Sequence, residues 1–160
     1  MDQHDAATAV YAGLLLVVLG GVAWAAGEPF VFPSLGPSAF LMAKARRGSS
    51  VTPRRVIGGH TVGVIGGLVT YGLVDPGVAL STSLPAFSEG TLGLAVAAAL
   101  SVLLTSVGML ATNTSHPPAC ATTLIVALGV LPTVRAGAVI VLAVTVLVAV
   151  HELVLRSVAL

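Results

Sequence analysis

The residues best able to do chemistry stand together in Asn113-Thr114-Ser115-His116-Pro117-Pro118-Ala119-Cys120-Ala121-Thr122, a polar, doubly proline-locked stretch between two long apolar runs. Pro117 and Pro118 lack a backbone N–H and hold φ at about −65°, so they fit the first turn of a helix and not its middle. A helix is therefore predicted to start near Pro117 and run through Ala127. Thr114, Ser115 and His116 then fall in the cap region, where side-chain oxygens satisfy the free N–H groups of the first turn. The positive end of the helix dipole collects there as well, and such an end attracts anions. Two readings stay open from this stretch alone. One is an ordinary helix–helix loop at a bilayer surface; the other is a broken helix at membrane depth, the kind of element that forms substrate sites in transporters.

Other polar residues lie on helical faces that lead to the same place. Ser101, Thr105, Gly108 and Thr112 are spaced four, three and four apart, so they form one stripe ending at Asn113. Such hydroxyls either bond the carbonyl one turn back or line a pathway. His60 lies beside a ridge of Gly59, Gly63 and Gly67, and this small-residue face lets another backbone approach closely. His60 should point into protein, as a packing histidine or as a proton or substrate group. Arg54, Arg55 and Arg135 read as topology signals that also draw anions to a vestibule. His151, Glu152 and Arg156 read as an ordinary helix end, and Cys120 as a small packing residue.

The elements that must position these residues are membrane spans. Of 160 residues 56% are hydrophobic and only 8% charged, against about a quarter charged in soluble domains. Apolar runs of spanning length occur at about residues 7–26, 56–74, 92–111 and 136–155. The acidic start Met1-Asp2-Gln3-His4-Asp5 lacks the basic n-region of a signal peptide, so the first run is expected to be a retained span. A lone Cys120 excludes an internal disulfide and offers no metal cluster of the usual spacing, so no metal and no cofactor are expected. A net charge of +1 without a basic stripe gives no sign of nucleic-acid binding.

Two apolar segments, 30–43 and 117–130, are too short to cross as plain helices. They look alike: Pro33-Ser34-Leu35-Gly36-Pro37-Ser38-Ala39 lies over Thr114-Ser115-His116-Pro117-Pro118-Ala119-Cys120 with Ser34 on Ser115 and Pro37 on Pro118. Beyond each, a proline precedes an arginine that opens the next span, at Pro53-Arg54 and at Pro132-Thr133-Val134-Arg135. The expected fold is thus an all-α membrane protein, one domain over 1–160. It has four full transmembrane helices plus two short broken or re-entrant helices, arranged as an internal two-fold repeat. The repeats cover about 1–75 and 90–160, joined by an exposed loop over 75–90 rich in Ser, Pro and Gly. The basic cluster Lys44, Arg46, Arg47, Arg54 and Arg55 places loop 44–55 in the cytoplasm of a multi-pass plasma (inner) membrane protein. Crossing short helices would make the repeats inverted, and re-entrant ones parallel; charge counting does not choose.

The run Ser115-His116-Pro117-Pro118-Ala119, followed by Ala121-Thr122-Thr123-Leu124, resembles the motif after which the HPP family of integral membrane proteins is named. Ser34-Leu35-Gly36-Pro37-Ser38-Ala39 and Gly58-Gly59-His60 are similar to the same family's pattern, so the resemblance covers about 10–155. It implies a four-helix membrane protein regarded as a transporter, with nitrite as a substrate of some plastid and cyanobacterial members. Cys120 stands where many relatives have a smaller residue such as glycine, which would make the site slightly tighter.

On this basis the expected function is a channel or carrier for a small inorganic anion, nitrite first. Binding is expected at the N-termini of the two broken helices, by Ser34, Gly36, Ser38, Asn113, Thr114, Ser115, His116, Pro117 and Pro118, with His60, Ser101, Thr105 and Thr112 lining the path. The expected partners are the lipid bilayer, the anion and further copies of the chain in a homo-oligomer, because four spans alone make a thin pathway wall. The alternative is a non-transporting accessory or structural subunit, in which the glycine ridge serves assembly. A hydrolase built on Ser115 is disfavoured, since His116 is its immediate neighbour and no orienting acid lies in a span, so no enzyme activity is expected.

Overall fold

A computed structural model describes residues 3–74 and 77–158, so Met1, Asp2 and the Asp75-Pro76 start of the connecting loop lie outside the described residues. Among the described residues six α-helices are formed: α1 (Gln3–Ala26), α2 (Leu35–Ala45), α3 (Pro53–Val74), α4 (Glu89–Thr112), α5 (Ala119–Ala127) and α6 (Val134–Val158), with a short 3₁₀ turn at Ser49–Val51. Four of them, α1, α3, α4 and α6, are long and apolar enough to cross a membrane. They begin two to four residues earlier than hydropathy alone predicts, because polar residues suit a first turn. Asp5 sits in that of α1, Pro53 opens α3, and the Ser88 hydroxyl caps α4 by accepting from the Thr91 N–H at 3.2 Å.

Helices α5 and α4 end where the chain turns sharply. Gly129, at φ +73°, follows α5; its N–H donates to the Val126 carbonyl and that of Val130 to the Ile125 carbonyl, a Schellman ending that glycine permits. Asn113 ends α4 in the left-handed region at φ 55°, a conformation asparagine tolerates better than most residues.

Helix α3 is the spine, with α5 and α4 packed along it. Its glycine ridge faces α5, and a Cβ at Gly59 would lie 2.8 Å from His116 Cβ and 2.9 Å from the Thr114 carbonyl oxygen. A side chain there would lift α5 and its leading turn off the spine. On the other flank, α1, α2 and α6 bury Leu15, Leu19, Leu35, Met42, Val144 and Leu147 in one apolar core.

Contacts at the helix ends give the directions. At one end the His151 imidazole on α6 is hydrogen-bonded to the Tyr11 hydroxyl at 2.8 Å and, through Nε2, donates to the Arg46 carbonyl at 3.0 Å. There too Arg47 donates to the Leu155 carbonyl, Arg54 to the Thr112 carbonyl and Arg55 to Asn113 Oδ1. At the other end Arg135 pairs with Glu28, and the Leu80 N–H donates to the Leu128 carbonyl. Helices α1, α3 and α5 therefore run away from the arginine-rich end, and α2, α4 and α6 run toward it.

His151, expected to be part of an ordinary helix end, is instead fully buried. The Tyr11 and Arg46 bonds take both of its ring nitrogens. Tyr11→Phe leaves Nδ1 without its partner, which costs about 1–3 kcal/mol, and thermal unfolding in detergent should show the loss. An unchanged transition would mean that the α1–α6 tie does not form.

Candidate functional site

Two serines, two histidines and a threonine from four separate segments meet inside the bundle. Ser34 and Ser38, four apart, share one face at the start of α2. His60 lies on α3 beside the glycine ridge, His116 in the turn before α5, and Thr122 in α5's first turn. All five are fully buried. Ser38 Oγ is the hub: it lies 2.9 Å from His60 Nε2, 3.0 Å from His116 Nε2 and 3.2 Å from the Ser34 carbonyl oxygen. His60 Nδ1 is bonded to Thr122 Oγ1 at 2.7 Å, and the two imidazoles are 5.2 Å apart between ring centres.

A serine hydroxyl has one proton to donate and two lone pairs. With two imidazole nitrogens on the same oxygen, at least one histidine must donate from Nε2, so the tautomers of the two rings are linked through Ser38. His60 is satisfied on both sides. His116 is not: its Nδ1 is buried without a hydrogen-bond partner, and so is Ser34 Oγ. Buried polar atoms of this kind carry a cost unless something satisfies them. A methyl group at Gly36 would meet no neighbouring atom within 4 Å, because Gly36, two residues from both Ser34 and Ser38, is part-exposed on the opposite face of α2.

The capping expected of Thr114, Ser115 and His116 does not occur. The N–H groups of Ala119, Cys120 and Ala121 donate to the carbonyls of His116, Pro117 and Pro118, and the His116 N–H points to Met109 Sδ at 3.5 Å. The proline pair winds this entry into tight turns that close on their own backbone. The polar atoms left over at the start of α5 therefore include the His116 ring nitrogen, and these three peptide N–H groups are occupied.

Of the predicted site residues, Ser34, Ser38, His60 and His116 come together. Thr114 is bonded to Thr112 Oγ1 and packs over Gly58, while Asn113 is exposed and held by Arg55. Ser115 is half-buried and forms no side-chain hydrogen bond among the described residues, and Pro117 and Pro118 shape the turn. Gly36 lies on the face of α2 opposite Ser34 and Ser38 and does not join them. The α4 stripe divides. Ser101 and Thr112 donate back to the carbonyls of Ala98 and Gly108, whereas Thr105 is bonded to Thr123 Oγ1 at 2.7 Å. Thr123 in turn donates to the Gly63 carbonyl at 2.9 Å, which ties α4, α5 and α3 together. Thr122 and Thr123 were missed as functional residues; the signal that marks them is two adjacent hydroxyls in a nine-residue helix otherwise without polar groups.

Volume does not locate this site. A concavity of about 520 Å³ bordered by Phe87, Leu92 and Ala95 is almost wholly apolar and lies at the opposite end of α4 from His116. The histidine cluster has no carboxylate in it, and among the described residues no three His, Cys, Asp or Glu side chains gather as a metal ion would need. Its chemistry is hydrogen bonding to a small polar ligand and transfer of protons between neutral rings.

The family described as "HPP, transmembrane region" matches residues 3–160. No curated protein and no solved structure matches the chain.

Proposed function

Since the chain belongs to the HPP family of membrane proteins, we propose that it is a transport protein for a small inorganic anion, nitrite first, held between the starts of α2 and α5. Besides Thr70 Oγ1, further along α3, the buried side-chain atoms without partners among the described residues are His116 Nδ1 and Ser34 Oγ, and this pair carries the reading. One lies at the entry to each short helix, where the dipole of each adds a partial positive charge. An N–H and an O–H suffice to hold nitrite or formate, and no buried lysine or arginine is needed.

The direction of the helices favours crossing over re-entry. Each short helix, with its irregular lead, continues from one end of the bundle to the other, so 1–75 and 90–160 form inverted halves around the site. Lys44, Arg46, Arg47, Arg54, Arg55 and Arg156 then share the cytoplasmic end of a plasma-membrane protein, and Arg135 lies outside. The outer face of α1, with Val10, Leu14, Val17 and Val18 exposed, meets lipid or a second copy in a homo-oligomer. The accessory-subunit alternative drew on a glycine ridge free for a partner, and α5 already covers that ridge.

Uptake of nitrite into proteoliposomes of the purified protein tests the reading, with chloride, nitrate and formate as competitors. Saturable, protein-dependent uptake is expected. Folded protein that moves none of these anions would overturn the transport reading in favour of the accessory subunit.

A further inference from the structure

We propose that the anion moves together with one proton, and that His116, Ser38 and His60 form the relay that receives it. This rests on the anion site proposed above and adds its energy coupling.

The proton count at Ser38 leads there. Its hydroxyl proton goes to one of three acceptors: the Ser34 carbonyl, His60 Nε2 or His116 Nε2. In the first two cases His116 must donate from Nε2, and its unpartnered Nδ1 presents a bare lone pair. A lone pair repels an anion. In the third case Nδ1 carries the proton and becomes a donor. The same atom therefore refuses or accepts an anion according to where one hydroxyl proton lies.

An incoming proton resolves this, starting from the second arrangement, in which Ser38 donates to His60 Nε2 and His60 carries its own proton on Nδ1. It forms an N–H bond at His116 Nδ1. The Nε2–H bond of His116 breaks as its proton forms an O–H bond at Ser38, and the original Ser38 proton leaves to form an N–H bond at His60 Nε2. His60 keeps its Nδ1–H toward Thr122 Oγ1 and becomes the imidazolium. His116 ends neutral, with Nδ1–H facing the anion and Nε2 accepting from Ser38. The relay thus creates the anion's donor and places a balancing positive charge one ring away, at 5.2 Å between centres.

The surroundings leave the pair to itself. Across the pair the titratable group facing each ring is the other ring. From α2 the neighbours are Ser34 and Ser38, with Lys44 exposed at the far end; from α4 the neighbour is Met109, and from α5 Thr122. The Ser50 backbone lies near the His116 ring without a hydrogen bond to it. Arg54 and Arg55, nearer the start of α3, are turned to Thr112 and Asn113.

The test follows nitrite uptake and lumenal pH together in proteoliposomes at neutral pH, with the membrane voltage set by potassium and valinomycin and protein-free vesicles subtracted. Wild-type uptake should acidify the lumen one proton per nitrite and ignore the voltage. Ser38→Ala should lower that coupling about tenfold, and Ser38→Thr, which keeps the hydroxyl, should restore it. Uptake that follows the voltage without acidification overturns the relay and leaves the anion site standing. Absence of uptake overturns the anion site, and the relay is then decided by ¹⁵N NMR of histidine-labelled wild-type protein in lipid. One shared titration of the two Nε2 signals supports it, and two independent titrations overturn it.

Discussion

Gly63→Ala should lower the thermal transition of the protein by roughly 4–10 °C, taking about 2–4 °C per kcal/mol for a chain of this size. The added Cβ would lie 2.7 Å from the Ala119 carbonyl oxygen and 3.0 Å from Thr123 Oγ1, both on α5. The first is backbone and cannot swing aside, so α3 and α5 must separate, at an overpacking cost of about 1–3 kcal/mol. Separation also strains the bond from Thr123 to the Gly63 carbonyl and, through Thr123, the link to Thr105. These losses are coupled rather than separate, because they share one contact. Gly13→Ala and Gly72→Ala are the matched controls: an added methyl meets nothing within 4 Å at either position. In a helix interior each should be neutral or stabilising, since alanine is favoured over glycine by about 1 kcal/mol. Thermal unfolding in detergent, followed by circular dichroism, separates the cases. A Gly63→Ala protein that unfolds like the controls would show that α5 does not lie on the ridge.

The second large effect is on flux. His116→Ala should reduce nitrite uptake on the order of tenfold to a hundredfold, because a hydrogen bond to a charged group is worth about 1.5–3 kcal/mol. Ser115→Ala, at the adjacent position but outside the hydrogen-bond network, should stay close to wild type. The contrast matters because the two residues are indistinguishable by position in the chain. Removing the imidazole also leaves a cavity beside Gly59, so uptake has to be compared at equal amounts of folded protein. Ser34→Ala removes the other unpartnered atom with little change in volume, and should weaken uptake several-fold while the thermal transition holds. If uptake by His116→Ala and Ser34→Ala equals that of wild type, the anion does not bind between the two helix starts.

Much of this was legible in the chain. Four apolar runs gave the spans, since a membrane helix needs length and apolarity and both are local properties. The prolines and glycines placed the ends of the second short helix to within two or three residues, whereas the first starts five residues later than its apolar run, at Leu35; Gly129 after α5 and Asn113 after α4 each mark a left-handed turn. The glycine ridge at four-residue spacing announced a close approach on one face of α3, and His60 beside it was expected to point into protein.

What the chain could not give was the identity of the partners across long separations. Ser38, His60 and His116 lie 22 to 78 residues apart, and nothing in their local spacing specifies that one hydroxyl serves two imidazoles. The cap reading failed for a related reason. A side-chain cap and a backbone turn compete for the same N–H groups, and the proline-wound entry to α5 favoured the backbone. His151 looked like a helix-end residue because its partners, Tyr11 and the Arg46 carbonyl, come from parts of the chain 140 and 105 residues away. The sequence by itself determined an α-helical membrane protein with two short, proline-led helices, because periodicity, length and backbone restriction act over a few residues. The tertiary structure alone decided which polar atoms pair and which remain open, because in a bundle that choice depends on which helix faces are brought within hydrogen-bond reach.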